Sequence, residues 1–262
     1  MTNMSADRPG RLAQILSTKR EEVASLRRLK LPTAPGPRPF SLARERGKLK
    51  LISEIKFRSP SAGALSTELS VAERAQVYER AGADMVSVLC DESFFGGAFT
   101  HLAEARAACA LPLLCKEFVI DEIQLDAAVA YGADAVLIIV RCVSAARLAV
   151  LMREANARRL SAFVEVMTEQ EATLAVDAGA TLVGVNARDL DTLEMDAARA
   201  ARVLAALPSG ITRVHLSGIA TPDDVRRVAT SPADAALIGE TLMRKAQPEA
   251  LLRSLVQAAS LG

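Results

Sequence analysis

Residues 49–63 read LKLISEIKFRSPSAG. The first half is a short run of strand-forming residues, Leu49, Leu51, Ile52 and Ile55, that ends on charge. The second half, from Arg58 to Gly63, is a turn built on Ser-Pro-Ser. Side chains two apart on a strand share a side, so Glu54 and Lys56 face the same way at a strand's C-terminal end. An acid and an amine held together there form either a local ion pair or the start of a site.

The same arrangement recurs along the chain. Apolar runs Met85–Cys90, Leu111–Lys116, Ala135–Val140, Ser161–Val166, Leu182–Asn186, Thr212–Leu216 and Ala235–Gly239 alternate with segments of helical spacing. With the opening run this makes eight strands, short and rich in Val, Ile and Leu, as parallel strands buried on both faces are. Three helix-to-strand links share one form, at Ala81-Gly82-Ala83-Asp84, Tyr131-Gly132-Ala133-Asp134 and Ala178-Gly179-Ala180. Each predicts a helix stop on a left-handed glycine. Eight such units in one chain predict a (β/α)8 barrel of the α/β class. The competing doubly wound sheet wants a G-x-G-x-x-G first turn, and F-R-S-P-S-A-G is not one.

Residues 1–10 are polar and read as a frayed start. Arg11–Lys30 has helical spacing with one wet, strongly charged face. Four prolines between Leu31 and Pro39 end that helix, and Phe40–Gly47 is expected to form a short second helix with Ser41 as its cap. The expected organisation is a helical extension over residues 1–48 and a barrel over 49–262, one domain overall. The extension is placed to close one mouth of the barrel.

The formal charge is +1 and no basic surface stands out, so neither a nucleic acid nor a membrane is an expected partner. The chain has no Trp and two Tyr, too few for base-stacking platforms. Cys90, Cys109, Cys115 and Cys142 sit in apolar runs without C-x-x-C spacing, which fits buried thiols in a reducing, cytoplasmic compartment. The N-terminus has no secretory h-region, and charges interrupt every apolar run before it could span a bilayer. Neither His101 nor His215 has carboxylate or cysteine neighbours at zinc-ligand spacing, so no metal and no cofactor is expected. His101 reads as a surface or cap residue. Of His215 and Leu216, alternation lets only one face the barrel interior.

In a barrel, chemistry sits at the C-terminal strand ends. There the chain offers Glu54 and Lys56, Lys116, Glu165, Asn186 and Arg188, then Ser217-Gly218 and Gly239-Glu240. Lys116 is either an amine snorkelling from a strand exit or a partly desolvated acid, electrophile or nucleophile. Glu165, inside the apolar run F-V-E-V-M, needs a partner, and Lys56 or Lys116 is the expected one. Asn186 and Arg188 can hold a hydroxyl and a carboxylate, unless Asn186 only satisfies the loop backbone or Asp189 takes Arg188. Small residues after strands seven and eight expose backbone N–H groups suited to a phosphate. Glu240 beside them fits only if its side chain turns outward.

These residues resemble one family. L-x-x-I-L-x-x-K-R-E-E-V at Leu12–Val23, E-I-K-x-x-S-P-S at Glu54–Ser61, S-V-L then F-F-x-G at Ser87–Gly97, and K-E-F-V-I-D at Lys116–Asp121 are similar to motifs of the indole-3-glycerol phosphate synthases. So are V-E-V, G-V-N-x-R-x-L, S-G-I and I-G-x-x-L-M-R at the later strands. The resemblance implies a (β/α)8 barrel with N-terminal helices over its catalytic mouth. It implies closure and decarboxylation of 1-(2-carboxyphenylamino)-1-deoxyribulose 5-phosphate, a small phosphorylated substrate, to indole-3-glycerol phosphate, carbon dioxide and water. No cofactor or metal is implied, and a monomer or weak homodimer is expected. By the same resemblance Lys116 is the general acid of ring closure and Glu165 the proton-handling carboxylate of the dehydration. Lys56 binds an anionic group and shares the acid role, while Glu54 and Asn186 orient the site. Ser59, Phe95, Arg188 and Ser217 contact substrate, and Lys56, Ser217, Gly218, Gly239 and Glu240 surround the phosphate.

The chain departs from the family pattern at Leu216, where a glutamate usually precedes Ser-Gly-Ile. Phe57-Arg58, Glu117 and Ala98 are lesser departures, and Cys115 and Cys142 are expected near the pocket. Leu216 and Arg58 together raise two other readings. One is a paralogue acting on a related N-aryl amino-ketose phosphate or releasing indole, and the other a silent phosphate-binding barrel. Retention of Lys56, Lys116, Glu165 and Asn186 weighs against the silent barrel.

Overall fold

Alternation along the strands decides what closes the fold. In the computed structural model, which describes residues 10–260, eight parallel strands form one closed ring: β1 (Lys50–Ile55), β2 (Met85–Leu89), β3 (Leu113–Lys116), β4 (Ala135–Ile139), β5 (Ser161–Val166), β6 (Leu182–Asn186), β7 (Thr212–Leu216) and β8 (Ala235–Ile238). Ring closure pairs Lys50 with Ala235 and Ile52 with Met85. One set of alternate residues, including Leu51, Val86, Leu113, Val136, Val164 and Ala236, faces the helices in a large outer core. The other set, including Ile52, Met85, Leu114, Leu137, Phe163 and Leu237, fills the barrel. The strands read as continuous apolar runs because both faces are buried.

The surrounding helices start where side chains meet the first free N–H groups. Ser70 caps α2 (Val71–Ala81), Asp121 caps α5 (Glu122–Ala130), and Thr221 caps α9 (Pro222–Ala229), each with a reciprocal capping box. Such caps are worth about 1 kcal/mol apiece. The three glycine links behave as the sequence predicts, with Gly82, Gly132 and Gly179 at φ 92°, 94° and 88°. The aspartates that follow two of these links tie neighbouring strands together. Asp84 accepts from the Leu51 N–H and Asp134 from the Leu113 N–H, and Asp234 does the same for Arg213.

The N-terminal segment divides its work between both ends of the barrel. Helix α1 (Arg11–Leu26) lies over the C-terminal mouth. The Leu12 N–H donates to Asp191 beyond β6, and Arg27 pairs at 2.7 Å with Asp121 beyond β3. Ile15 reaches into the inner core. The chain then runs to the opposite end, where the Arg38 N–H donates to Asp134 and the Arg44 N–H to Asp234. The short second helix expected over Phe40–Gly47 is absent. Arg46 and Gly47 take positive φ and Pro39 precedes the segment, so no complete turn forms. Leu42 instead joins the inner core, and the Arg44 guanidinium donates to the Ala229 and Ala233 carbonyls. Ser41 accepts from the Ala43 N–H, two residues on. The expected frayed start lies, but for Gly10, outside the described residues.

Two one-turn helices carry no periodic signal in the sequence: α3 (Glu92–Phe95) and α10 (Glu240–Met243). Between them lie α4 (Phe99–Ala108), α6 (Ala145–Ala157), α7 (Glu169–Asp177) and α8 (Ala197–Ala206), and α11 (Glu249–Ala258) closes the chain. Among the described residues, no helix is long and apolar enough to cross a membrane.

The barrel filling depends on Gly184. A Cβ there would press on the Phe163 ring and stand 2.8 Å from Leu216 Cδ1. Gly184→Ala is therefore expected to lower the unfolding free energy by about 2 kcal/mol, as overpacking does. Urea denaturation of the two proteins checks this, and an unchanged midpoint contradicts it.

Candidate active site

At the C-terminal end of the barrel, the inward positions change from apolar to charged. Glu54 stands two residues beyond Ile52, Lys116 beyond Leu114, and Glu165 beyond Phe163. Period-two geometry therefore delivers these side chains to one layer above the filled core. Lys56, one step past β1, joins them.

Glu54 is the hub of the layer. Lys56 Nζ lies 2.8 Å from Glu54 Oε1, and Lys116 Nζ lies 3.8 Å from Glu54 Oε2. Burial works to raise the Glu54 carboxyl, but the charges of Lys56 and Lys116 and the Lys56 hydrogen bond outweigh it and hold it below the usual carboxylate range. Space for Glu54 comes from the far side of the ring closure. A Cβ on Gly239 would stand 2.5 Å from Glu54 Oε1. The small residue after β8 is thus demanded by Glu54.

Lys116 Nζ also lies 4.0 Å from Glu165 Oε2. Asn186 donates to Glu165 Oε1 at 2.9 Å, and its own Oδ1 accepts from Ser217 Oγ and the Arg188 N–H. This fixes one oxygen of Glu165. The other, Oε2, is buried without a hydrogen bond and faces Lys116. Asn186 thus serves both the loop backbone and the carboxylate. Asp189 does not take Arg188: it lies 3.6 Å from Arg141 and accepts loop N–H groups.

These groups open into a cavity of about 380 Å³. Its two sides differ. After β2 and β3, Phe95 and Phe118 stand with ring centroids 5.9 Å apart, and Pro60 and Leu137 add to that apolar lining. After β7 and β8, on the opposite part of the ring, lie Ser217, Gly218, Gly239 and the start of α10. Ser217 and Gly218 have φ of 70° and 80°, two successive left-handed residues. The Glu240 carboxylate is engaged by Arg244 at 2.7 Å.

Every residue singled out from the sequence as catalytic or binding lines this one cavity. The structure adds Pro60, Ser61, Phe118, Thr241 and Arg244, and from α1 Arg11 and Ile15. Phe118 and Arg244 stand in motifs already quoted; Arg11 has no sequence signal beyond a helical position. Leu216, not His215, faces inward, and it lines the cavity. His215 Nε2 contacts the Ser217 carbonyl, and burial lowers its basicity.

Several expectations are corrected. Phe57 and Arg58 do not face the cavity: Phe57 stacks edge-on with His101, and Arg58 donates to the Glu92 and Ser93 carbonyls. Cys115 lies in the outer core with its Sγ 3.5 Å from Cys90 Sγ, because it occupies the odd position beside Lys116. Cys142 falls in the 3₁₀ turn after β4 and does not line the cavity. Arg58 and the cysteines therefore carry no argument about substrate choice.

Comparison with known proteins shows the family. Residues 8–255 match the family model described as indole-3-glycerol phosphate synthase. The chain belongs to the indole-3-glycerol phosphate synthase family. It is 44% identical over 223 residues to indole-3-glycerol phosphate synthase 2 of Streptomyces coelicolor, covering 85% of this chain and 86% of that one. It is 40% identical over 242 residues to the indole-3-glycerol phosphate synthase of Mycobacterium leprae, covering 91% and 89%. Among solved structures, 3-hexulose-6-phosphate synthase from Salmonella typhimurium superposes with a TM-score of 0.65 at 15% identity, covering 80% of this chain and 98% of that one. That likeness shows the barrel fold alone. Of the departures noted, Leu216 and Glu117 line the cavity, and Glu117 keeps the charge of the residue it replaces, which leaves Leu216 as the change of character there.

The low-lying Glu54 carboxyl has a consequence for stability. A carboxylate depressed in the folded state contributes stability above its ordinary value, near 4.5, and loses it as pH falls through the lower folded value. Glu54→Gln should therefore be less stable than the parent at pH 7, and the gap should narrow below pH 4.5. Chemical denaturation at a series of pH values measures this; a gap independent of pH contradicts it.

Proposed function

We propose that the chain carries out its family's decarboxylating ring closure on 1-(2-carboxyphenylamino)-1-deoxyribulose 5-phosphate, with Lys116 as the acid of the first step. The carrying observation is Lys116 itself: its ammonium is held near Glu54 and Glu165, at 3.8 and 4.0 Å, yet is locked to neither. The substrate is an aromatic carboxylate at one end and a phosphate at the other. The apolar side at Phe95 and Phe118 suits the ring. The Ser217-Gly218 turn and the start of α10 suit the phosphate, with N–H groups as donors.

Attack of the carboxyl-bearing ring carbon on the ketone builds negative charge on the carbonyl oxygen. Lys116 neutralises that charge by donating a proton. Loss of carbon dioxide then returns the bonding pair to the ring and restores aromaticity. In the dehydration, a second proton carries the new hydroxyl away as water, and the carbon next to nitrogen gives up a proton. Glu165 Oε2, free of other hydrogen bonds, takes that proton. Lys56 supplies the second cation for the anionic groups and shares the acid role through Glu54. Asn186 holds Glu165, while Ser59 and Arg188 stand at the rim for the aromatic carboxylate.

Two lysines and two carboxylates balance in this layer. With Leu216 in place of a third carboxylate, the ammonium of Lys116 is divided between Glu54 and Glu165 only. No metal or cofactor has a task in this sequence, because the ammonium groups supply the electrophile; turnover is accordingly expected to survive EDTA.

Indole fluorescence of the product tests the reaction. Lys116→Met should lower kcat by about a thousandfold, the scale of general acid catalysis, with the protein still folded. No turnover by the unaltered chain, or turnover unchanged in Lys116→Met, overturns the proposal.

A further inference from the structure

Lys19 is the most deeply buried charge in α1, at 1% exposure, although the helix's charged face reads as solvent-facing. Its Nζ lies 2.7 Å from Glu117 Oε1, 2.9 Å from Asp91 Oδ2 and 2.5 Å from Glu22 Oε2. Burial alone would lower this ammonium, but Glu117 and Asp91 outweigh burial and raise it. Glu117, pulled down by Lys19 but pushed up more strongly by burial, sits at about 7.

What these carboxylates do next gives the cluster its meaning. Asp91 Oδ1 accepts the Phe94 and Phe95 N–H groups and so starts α3, which carries Phe95 into the cavity. Glu117 follows Lys116 and accepts the Phe118 N–H at 2.6 Å. Glu22 also accepts from Ser93 of α3. One ammonium therefore joins the lid helix to the two segments that present the paired aromatic rings. The same helix sends Arg11 and Ile15 to the cavity.

We propose that Lys19 is a positioning residue that draws α1 onto the mouth and sets the spacing of Phe95 and Phe118, and so governs binding of the aromatic half of the substrate. This rests on the reaction proposed above. Binding of the aromatic ring is shared by ground and transition states, so its loss appears in KM with kcat preserved. A merely structural role would behave differently. It would lower the folded fraction and hence apparent kcat, and it would vanish once the buried charges are balanced again.

The test uses Lys19→Met and the double variant Lys19→Met/Glu117→Gln, which removes one carboxylate left without its cation. The double variant should recover part of the melting temperature lost in the single one. In both, KM should rise about tenfold or more with kcat within about threefold, the pattern of lost uniform binding. Competitive inhibition by inorganic phosphate, which probes the opposite side of the cavity, should be unchanged. A folded double variant with the parent's KM overturns this role of Lys19. Absence of turnover by the unaltered chain would instead count against the reaction itself.

Discussion

A carboxylate buried between two ammonium groups is the constraint from which the rest of the site follows. Alone, Glu54 could not remain ionised at the top of a packed barrel, because desolvation would neutralise it. Lys56 and Lys116 supply the compensating charge. They in turn need Glu54, since two ammonium groups converging on one cavity would repel. Gly239 supplies the room. The three strand ends β1, β3 and β8 are therefore specified together, and Glu165 with Asn186 extends the network across the ring to β5 and β6. Removing one partner from such a buried group is costlier than the net value of the pair, because the charge left behind is uncompensated.

The fold has a second dependence, on the N-terminal segment. A barrel mouth lined with charge is open to water unless something covers it. Helix α1 does so, tied at Asp191, Lys19 and Arg27, while Leu42 fills the opposite end. Excluding water strengthens every interaction of the charged layer. The lid is held by ion pairs where it meets the mouth, with Ile15 as its apolar anchor.

Most of the barrel was legible in the sequence because its signals are local. The period-two alternation sorts inner from outer residues, and the glycine links at 82, 132 and 179 need positive φ. The strand-end chemistry was legible for the same reason, since counting to each C-terminal end finds Glu54, Lys116, Glu165 and Asn186. What failed was either too short to show a period or set by long-range contacts. Helix α3 depends on Asp91, and α10 follows the turn at Gly239; neither is long enough to show a period. The segment at 40–47 reads as a short helix behind Ser41, but Leu42 is used as a plug and Arg44 as a clasp. Lys19 shows the limit most clearly. A lysine among charged neighbours on a helix reads as solvated, and only Asp91 and Glu117, 72 and 98 residues away, reveal that it is buried. Arg58 misled in the opposite sense, reading as a pocket residue when its guanidinium donates to two carbonyls of α3.

One ionised glutamate, Glu54, organises both lysines. The most direct test is a titration of the Glu54 side-chain carboxyl by 13C NMR, assigned by comparison with Glu54→Gln. The resonance is predicted to keep the chemical shift of a carboxylate from neutral pH down past the ordinary value near 4.5. It should titrate above the usual range once Lys56 and Lys116 are both replaced by methionine and burial alone is left. A Glu54 carboxyl that is protonated near neutral pH in the unaltered protein would contradict the account.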